Sequence, residues 1–431
     1  MKVKFLTLGC KVNQYESQAM LEALLRQGFQ AAEEGEPADV AVVNSCTVTA
    51  QSDQKARQAL RRLKRQNPQA VMVLTGCWPQ AFPEDAAGLP EADIVLGTVN
   101  RGALGERILA FLSTRARIVD IAPHEKKEAF EPMTVHGFSG HTRAFVKIQD
   151  GCQRFCSYCV IPFARGPVRS KPLCDLRREV EGLAASGFRE VVLTGINLPA
   201  YGQDLGLDLC DAIEAACGAD GIRRVRLGSL EPERLTPEVI ARMRAQEKLC
   251  PQFHLSLQSG CDGTLRRMNR HYTAAQYREI VENLRGAFPG CAVTTDIMVG
   301  FPGETEEEFA ASLAFCQELG FAKAHVFPYS RRPGTVADRA PNQVDAAVKE
   351  ARARRMSAAM DQSRRAFFQA QVGLEEPVLF EEAMCPGVYE GHTPNYTPVR
   401  AESREDLSGR ILLVRLTGAE GDWCRGELGF A

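Results

Sequence analysis

Three cysteines crowd into one short stretch, Gly151-Cys152-Gln-Arg-Phe-Cys156-Ser-Tyr158-Cys159. At that spacing, thiolates from a single loop can converge on one metal centre. A closed zinc site takes four ligands, commonly from two paired-cysteine elements, and the chain has no second CxxC. A cubane iron–sulfur cluster held by only three cysteines leaves one iron open to a small molecule. The competing interpretation, a cysteine-rich loop without a cofactor, is hard to reconcile with three thiols so close together.

A second set is dispersed: Cys10 in Leu8-Gly-Cys10-Lys-Val-Asn13, Cys46 in Asn44-Ser-Cys46-Thr, and Cys77 in Thr75-Gly-Cys77-Trp78. Each follows a β-rich run. In a parallel sheet the carboxyl ends of strands face one crevice, so residues far apart in sequence can meet there. A lone cysteine is usually a small buried hydrophobe. Three of them placed identically, beside Gly or Ser, favour ligands.

The elements that must position these groups follow from periodicity. Residues 1–112 alternate β-rich runs (Val3–Leu8, Val40–Val43, Val71–Leu74, Ile94–Leu96) with helical patterns (Gln14–Gln27, Asp53–Gln66, Gly102–Leu112). That alternation implies a parallel sheet covered by helices. Residues 113–142 break the rhythm and read as a linker. From Arg143 six further βα units begin, at Ala144–Ile148, Glu190–Leu193, Arg224–Leu227, Phe253–Leu257, Ala292–Ile297 and Ala322–Phe327. They suit a partial barrel, closed off by a charged helix over Val344–Gln371, so that this domain spans 143–371. Residues 372–431 turn to β-branched and aromatic runs with Gly/Pro turns, the pattern of a small antiparallel barrel.

Composition narrows the class. The 431 residues are 45% apolar with 52 basic and 54 acidic side chains, which excludes general disorder. No apolar run is long enough to span a bilayer, and the start lacks an export signal, so a cytoplasmic chain without membrane attachment is expected. Fifteen cysteines in such a chain argue for ligands and buried thiols over disulfides.

The cysteine loop resembles the CxxxCxφC signature of radical S-adenosylmethionine (SAM) enzymes, with Tyr158 as the aromatic φ. The resemblance implies a [4Fe–4S] cluster on Cys152, Cys156 and Cys159 that binds SAM and cleaves it to a 5′-deoxyadenosyl radical. Downstream turns agree with it: Leu193-Thr194-Gly195-Ile-Asn197, Leu257-Gln258-Ser259-Gly260 and Val299-Gly300-Phe-Pro-Gly303. Tyr158, Thr194, Gly195, Asn197, Gln258, Ser259 and Gly300 are therefore expected around SAM.

Taken together, the layout is similar to the methylthiotransferase family. That implies a flavodoxin-like first domain with a second [4Fe–4S] cluster on Cys10, Cys46 and Cys77, and a C-terminal TRAM domain. It also implies insertion of sulfur and a methyl group at an unactivated C–H. Leu8-Gly-Cys10-Lys-Val-Asn13, Asn44-Ser-Cys46-Thr and Gly228-Ser-Leu-Glu231-Pro232 look like the branch acting at C2 of N6-threonylcarbamoyladenosine 37, in the anticodon loop of tRNA. Isopentenyladenosine tRNA, ribosomal protein S12, or a non-catalytic iron–sulfur or zinc RNA-binding role are the alternatives. An electron donor such as flavodoxin or ferredoxin is implied as a partner.

For an RNA substrate, basic surface is expected from Lys55, Arg57, Arg61, Arg62, Lys64 and Arg65, and from Arg165, Arg169 and Lys171. Arg331 or Arg332 is expected to pair with the threonyl carboxylate, and Glu231 is a second specificity candidate. The C-terminal module, with five arginines, no lysine and eleven acidic residues over 371–431, is a poor phosphate binder. It either contacts RNA through Tyr396, Arg400 and Arg410 or mainly packs on the barrel.

Overall fold

The computed structural model describes residues 1–33, 35–138 and 140–429. The first domain is a six-stranded parallel sheet ordered Gln30–Ala31, Lys2–Thr7, Val40–Ser45, Val71–Gly76, Ile94–Leu96, Ile118–Asp120. This is the flavodoxin-like order, whose switch point lies between the first strand and Val40–Ser45. Val40–Ser45 and Val71–Gly76 are buried along their whole length, as expected for central strands covered on both faces. Helix Lys11–Arg26 starts immediately after Cys10. Helix Ala50–Gln66 is capped by the Thr49 side chain, which accepts from the Ser52 N–H, and it stops at Asn67 before Pro68.

One expectation changes here. Ile118–Asp120 lies in the stretch read as a linker, yet it pairs with Ile94–Leu96 as the sixth strand. Three residues are too few to produce a readable alternation. The pairing is decided by the open edge that Ile94–Leu96 offers.

The six strands expected after Arg143 all form. Joined by a seventh, two-residue strand at Ser229–Leu230, they divide into two parallel sheets, Arg143–Lys147/Glu190–Thr194/Arg224–Leu227 and Ser229–Leu230/Gln252–Leu255/Ala292–Val299/Lys323–Pro328. The break falls at Gly228, whose N–H still donates to Leu193 O at 2.8 Å, so the wall curves there into a half-barrel. Helix Ala346–Gln369 packs outside it and leads to a closed five-stranded barrel, Glu375–Cys385, Val388–His392, Pro398–Glu402, Trp423–Leu428 and Ile411–Glu420. That barrel has its own core of Phe368, Val378, Phe380, Val399, Val414 and Leu416.

The domains are joined by apolar and ionic contacts. One core runs from Tyr15 and Ala19 through Met133 and Val135 to Leu176 and Val180. The acidic C-terminal barrel packs on arginines of the half-barrel. Arg143 pairs with Glu381 at 2.7 Å, Arg224 donates to His392 O and Arg226 to Pro394 O, both at 3.0 Å. Its negative charge is thus matched to this seam. Among the described residues, no helix is long and apolar enough to cross a membrane.

Candidate functional site

The loop bearing Cys152, Cys156 and Cys159 leaves the short strand Gln149–Asp150 at the carboxyl end of the half-barrel. Gly151 makes the turn possible: φ is +76°, and a Cβ there would lie 1.7 Å from Pro167 O. The Cys159 N–H donates to Cys156 O at 2.9 Å and closes a tight turn between the two cysteines. All three cysteines are half-buried. Burial pushes the Cys152 thiol up to about 11 and Cys159 to about 12. As free thiols they stay protonated at neutral pH, and only bound metal charge would make them thiolates. Two donors address the sulfurs: Asn197 Nδ2 at 3.8 Å from Cys152 and Arg270 Nη1 at 3.4 Å from Cys156. Such N–H···S contacts tune a cluster.

Glu231 explains why Arg270 sits there. It accepts from Arg270 Nη2 at 2.5 Å and lies 3.7 Å from Arg154, which also pairs with Glu233. Glu231 therefore anchors a guanidinium beside the cluster loop and is not a free specificity residue. Arg270 itself carried no signal in the sequence, being one arginine in a turn.

Of the residues expected around SAM, Tyr158 lies in this loop and Asn197 touches it. Thr194 is buried, and its hydroxyl donates to Val146 O at 3.3 Å. At Gly195 a Cβ would lie 2.8 Å from Gln149 Oε1, an atom that accepts the Asn197 N–H at 2.7 Å. Asn197 Oδ1 and Gln258 Oε1 are buried without a hydrogen-bond partner, and Gln258 is held at φ +66°. Orphaned buried acceptors ask for a ligand with donors, and a molecule carrying an ammonium or hydroxyl groups would meet that need. Ser259 Oγ is occupied by the Cys261 N–H at 3.2 Å. The Tyr158 ring packs edge-on to Phe301 at 6.3 Å. At Gly300 a Cβ would meet Lys349 Cγ at 2.3 Å, so this glycine serves the approach of the long helix.

Cys10, Cys46 and Cys77 meet at the switch point. Gly9, at φ +114°, is pressed against the Cys46 loop: a Cβ there would lie 2.8 Å from Cys46 Cβ and 3.3 Å from its Sγ. Asn13 ties two of the loops by donating to Leu8 O and Ser45 O, both at 3.0 Å. Arg165 closes the group from the half-barrel, with Nε 3.1 Å from Cys77 Sγ, Nη2 donating to Asn13 Oδ1 at 2.9 Å and Nη1 to Glu16 at 2.5 Å. Cys46 and Cys77 are buried while Cys10 is exposed. Burial pushes Cys77 up to about 12 even with Arg165 beside it. Among the described residues no three Cys, His or carboxylate groups close around a single ion.

The basic groups expected at an RNA surface are mostly engaged elsewhere. Arg165, Arg169 and Lys171 are buried. Arg169 pairs with Glu128 at 2.6 Å and Lys171 with Glu179. With Arg101, Lys147, Glu16 and Asp150 they belong to a buried ionic seam between the first domain and the half-barrel. Arg332 is 2% exposed and donates to Asp53 and Thr47, both at 2.7 Å, so it braces the first domain and is not presented to a substrate. Arg331 pairs with Asp338 at 2.8 Å. On the basic helix, Arg57, Arg61 and Lys64 face Asp85, Glu91 and Asp93. Arg400 and Arg410 are held by Glu390 and Glu405.

What the fold does assemble is a cavity of about 440 Å³ where the three domains meet. Cys10 and Lys11 line one side, Thr194 and Gly195 another, Arg226, His254 and Lys323 the half-barrel wall, and Tyr396 enters from the C-terminal barrel. The Tyr396 ring lies 4.4 Å from His392 and under the guanidiniums of Arg143 and Arg226 at 4.9 and 4.6 Å. Lys11, Arg226, His254 and Lys323 went unremarked in the sequence because they are isolated charges on different elements.

Comparison with known proteins agrees with this layout. Residues 2–97 match the uncharacterized protein family UPF0004, and residues 146–316 the radical SAM superfamily. The chain is 38% identical to the threonylcarbamoyladenosine tRNA methylthiotransferase MtaB of Bacillus subtilis, over 97% of this chain and 94% of that protein. It is 35% identical to the tRNA-2-methylthio-N(6)-dimethylallyladenosine synthase of Cereibacter sphaeroides, over 98% and 97%. In fold it is similar to the radical SAM methyltransferase TsrM of Kitasatospora setae, with TM-score 0.58, 16% identity, and 78% and 77% of the two chains covered. With its SAM-type cysteine loop, its matched domains and full-length relatives of this kind, the chain belongs to the methylthiotransferase family of radical SAM enzymes.

Proposed function

We infer that this enzyme installs a methylthio group at C2 of N6-threonylcarbamoyladenosine 37 in the anticodon loop of tRNA. The observation that carries the reading is the chemistry of the central cavity. Its charged lining includes Lys11, Arg226 and Lys323 against one acid, Asp296, which His254 holds at 3.2 Å. A dimethylallyl tail would bury apolar surface and ask for apolar walls. A threonylcarbamoyl group brings a carboxylate, a hydroxyl and a urea, which need polar partners. Position 37 lies in a loop, so its base can leave the stack at modest cost and enter such a pocket.

Cys152, Cys156 and Cys159 would hold the SAM-binding cluster, and Cys10, Cys46 and Cys77 a second [4Fe–4S] cluster. Bound SAM supplies the 5′-deoxyadenosyl radical and, from a second molecule, the methyl group. The protein's own part is positional. Asn197 and Gln258 offer acceptors to SAM, with Thr194 and Gly195 between that ligand and the cavity. Cys10 borders the same cavity from the opposite domain, so the base would sit between the two triads. Tyr396 roofs the chamber and limits water. We read residues 121–142, after the sixth strand, as the connection and 372–431 as the TRAM domain, and a flavodoxin or ferredoxin as the reductant.

The test is anaerobic reconstitution followed by turnover on three separate substrates: threonylcarbamoylated tRNA, dimethylallylated tRNA and ribosomal protein S12. Nucleoside mass spectrometry should find 2-methylthio-N6-threonylcarbamoyladenosine. Product only on one of the other two, or on none, would overturn the reading.

A further inference from the structure

The geometry points to an anion subsite in the central cavity, built from Arg226 and Lys323 with Lys11 at its rim, that takes the carboxylate of the amino-acid group on the substrate adenosine. This rests on the reading of the substrate given above and names the residues that would read it.

Arg226 is 1% exposed and rigidly held. Its Nε donates to Glu190 at 2.9 Å, its Nη1 to Pro394 O at 3.0 Å, and its plane lies against Tyr396. Nη2 has no hydrogen-bond partner although it is buried. An arginine fixed on two sides with a spare donor is pre-organised for a planar anion, and little side-chain entropy is lost on binding. Burial would raise the Glu190 pKa, but the charge and hydrogen bond of Arg226, then the charges of Arg143 and Arg224, outweigh it and hold it below its ordinary value. It remains ionised and keeps the arginine in place.

Lys323 and Lys11 make no ion pair with any carboxylate among the described residues, although both line the cavity. Across the wall, Asp296 is held by His254 Nε2, while His254 Nδ1 lies 3.0 Å from Thr294 Oγ1. The one acid of the lining is thereby tied to its own partner, and among the described residues Lys323 and Lys11 have no carboxylate within ion-pair distance. A cavity of about 440 Å³ accommodates a purine with a short polar tail. The same cations could serve RNA phosphates, and the assay separates the two sources.

The experiment uses reconstituted enzyme and anticodon stem-loops carrying either N6-threonylcarbamoyladenosine or its threonine methyl ester. The two share their phosphates and differ in one charge and one added methyl group. The wild-type enzyme should favour the acid by roughly tenfold or more in kcat/KM, mostly through KM, since a site built for a polar group discriminates strongly against its absence. Arg226→Gln should bring the acid-to-ester ratio towards one, Arg226→Lys should restore part of it, and Lys323→Gln should lower it about threefold. Lys323 is exposed and unpaired, so its variant carries the test if Arg226→Gln does not fold. A wild-type ratio near one overturns the subsite. So does a ratio unchanged in both variants while both substrates weaken together, which would assign the cations to phosphates. Modification of dimethylallyladenosine with neither threonyl substrate accepted would overturn the substrate reading itself, and the subsite with it.

Discussion

Replacing Arg332 by Met should destabilise the protein by about 3–4 kcal/mol, through a carboxylate left without its partner. Arg332 Nη2 donates to Asp53 Oδ2 and to Thr47 Oγ1, each at 2.7 Å, and its guanidinium lies 4.8 Å from the centre of Phe82. A hydrogen bond between charged groups contributes about 1.5–3 kcal/mol and one to a hydroxyl about 1 kcal/mol. The stacked cation adds about 1 kcal/mol. Breaking a buried pair from one side costs about 3–5 kcal/mol in general, and the lower part of that range fits a site near the surface. Burial raises the Asp53 pKa above 3.8, and Arg332 and Thr47 only partly oppose it. The sign follows. A carboxyl whose folded pKa lies above its unfolded value stabilises the fold below about pH 3.8 and loses that contribution as pH rises through the folded value. Without Arg332 the folded pKa climbs further, so the deficit of Arg332→Met should be larger at pH 8 than at pH 5.

The assay is thermal unfolding of the reconstituted enzyme, with hydrogen exchange followed over residues 47–53. The transition that includes the first domain should fall by about 6–12 °C. Arg332→Met combined with Asp53→Asn should recover about half of the loss, because the stranded charge is gone. Equal instability of the single and double variants, or a deficit that grows on acidification, would refute the stranded-charge account. The acid-to-ester ratio of the stem-loop assay should not move in Arg332→Met, since Arg332 is not part of the cavity wall.

Cys159→Ala should leave about four iron per chain where the wild type holds about eight, and Cys46→Ala with Cys77→Ala should lose the other four; iron analysis and electron paramagnetic resonance read both. Burial alone would raise the Glu16 carboxyl, but Arg101, Arg165 and Lys147 outweigh it and hold its pKa at about 2, against 4.5 unperturbed. Its contribution is therefore complete above about pH 4.5 and is lost as pH falls towards 2. Circular dichroism across that window should show a steeper acid loss for the wild type than for Glu16→Gln. Tyr396→Ala removes the ring between Arg143 and Arg226, each contact contributing about 0.5–2 kcal/mol. Limited proteolysis should find the C-terminal barrel loosened, and Tyr396→Phe should resist as the wild type does.

Both cysteine triads were legible because each has a local signature: tight spacing for Cys152, Cys156 and Cys159, and a repeated strand-end position for Cys10, Cys46 and Cys77. The βα order and the half-barrel strands were legible for the same reason, since periodicity is a property of neighbouring residues. The short strand Ile118–Asp120 was not, because an existing sheet edge decides its pairing.

The sequence by itself picked out which cysteines are candidates to hold clusters and which chain segments carry them. It could not tell a solvated cation from a buried one. Arg165, Arg169, Lys171 and Arg332 look like surface charge in a linear reading, and each is buried against a carboxylate or thiol, from a distant segment in every case but Lys171. Arg226, Lys323 and Lys11 carry no motif, yet three domains bring them to one cavity. Charge acts through space and through the dielectric around it, and both are set by tertiary packing.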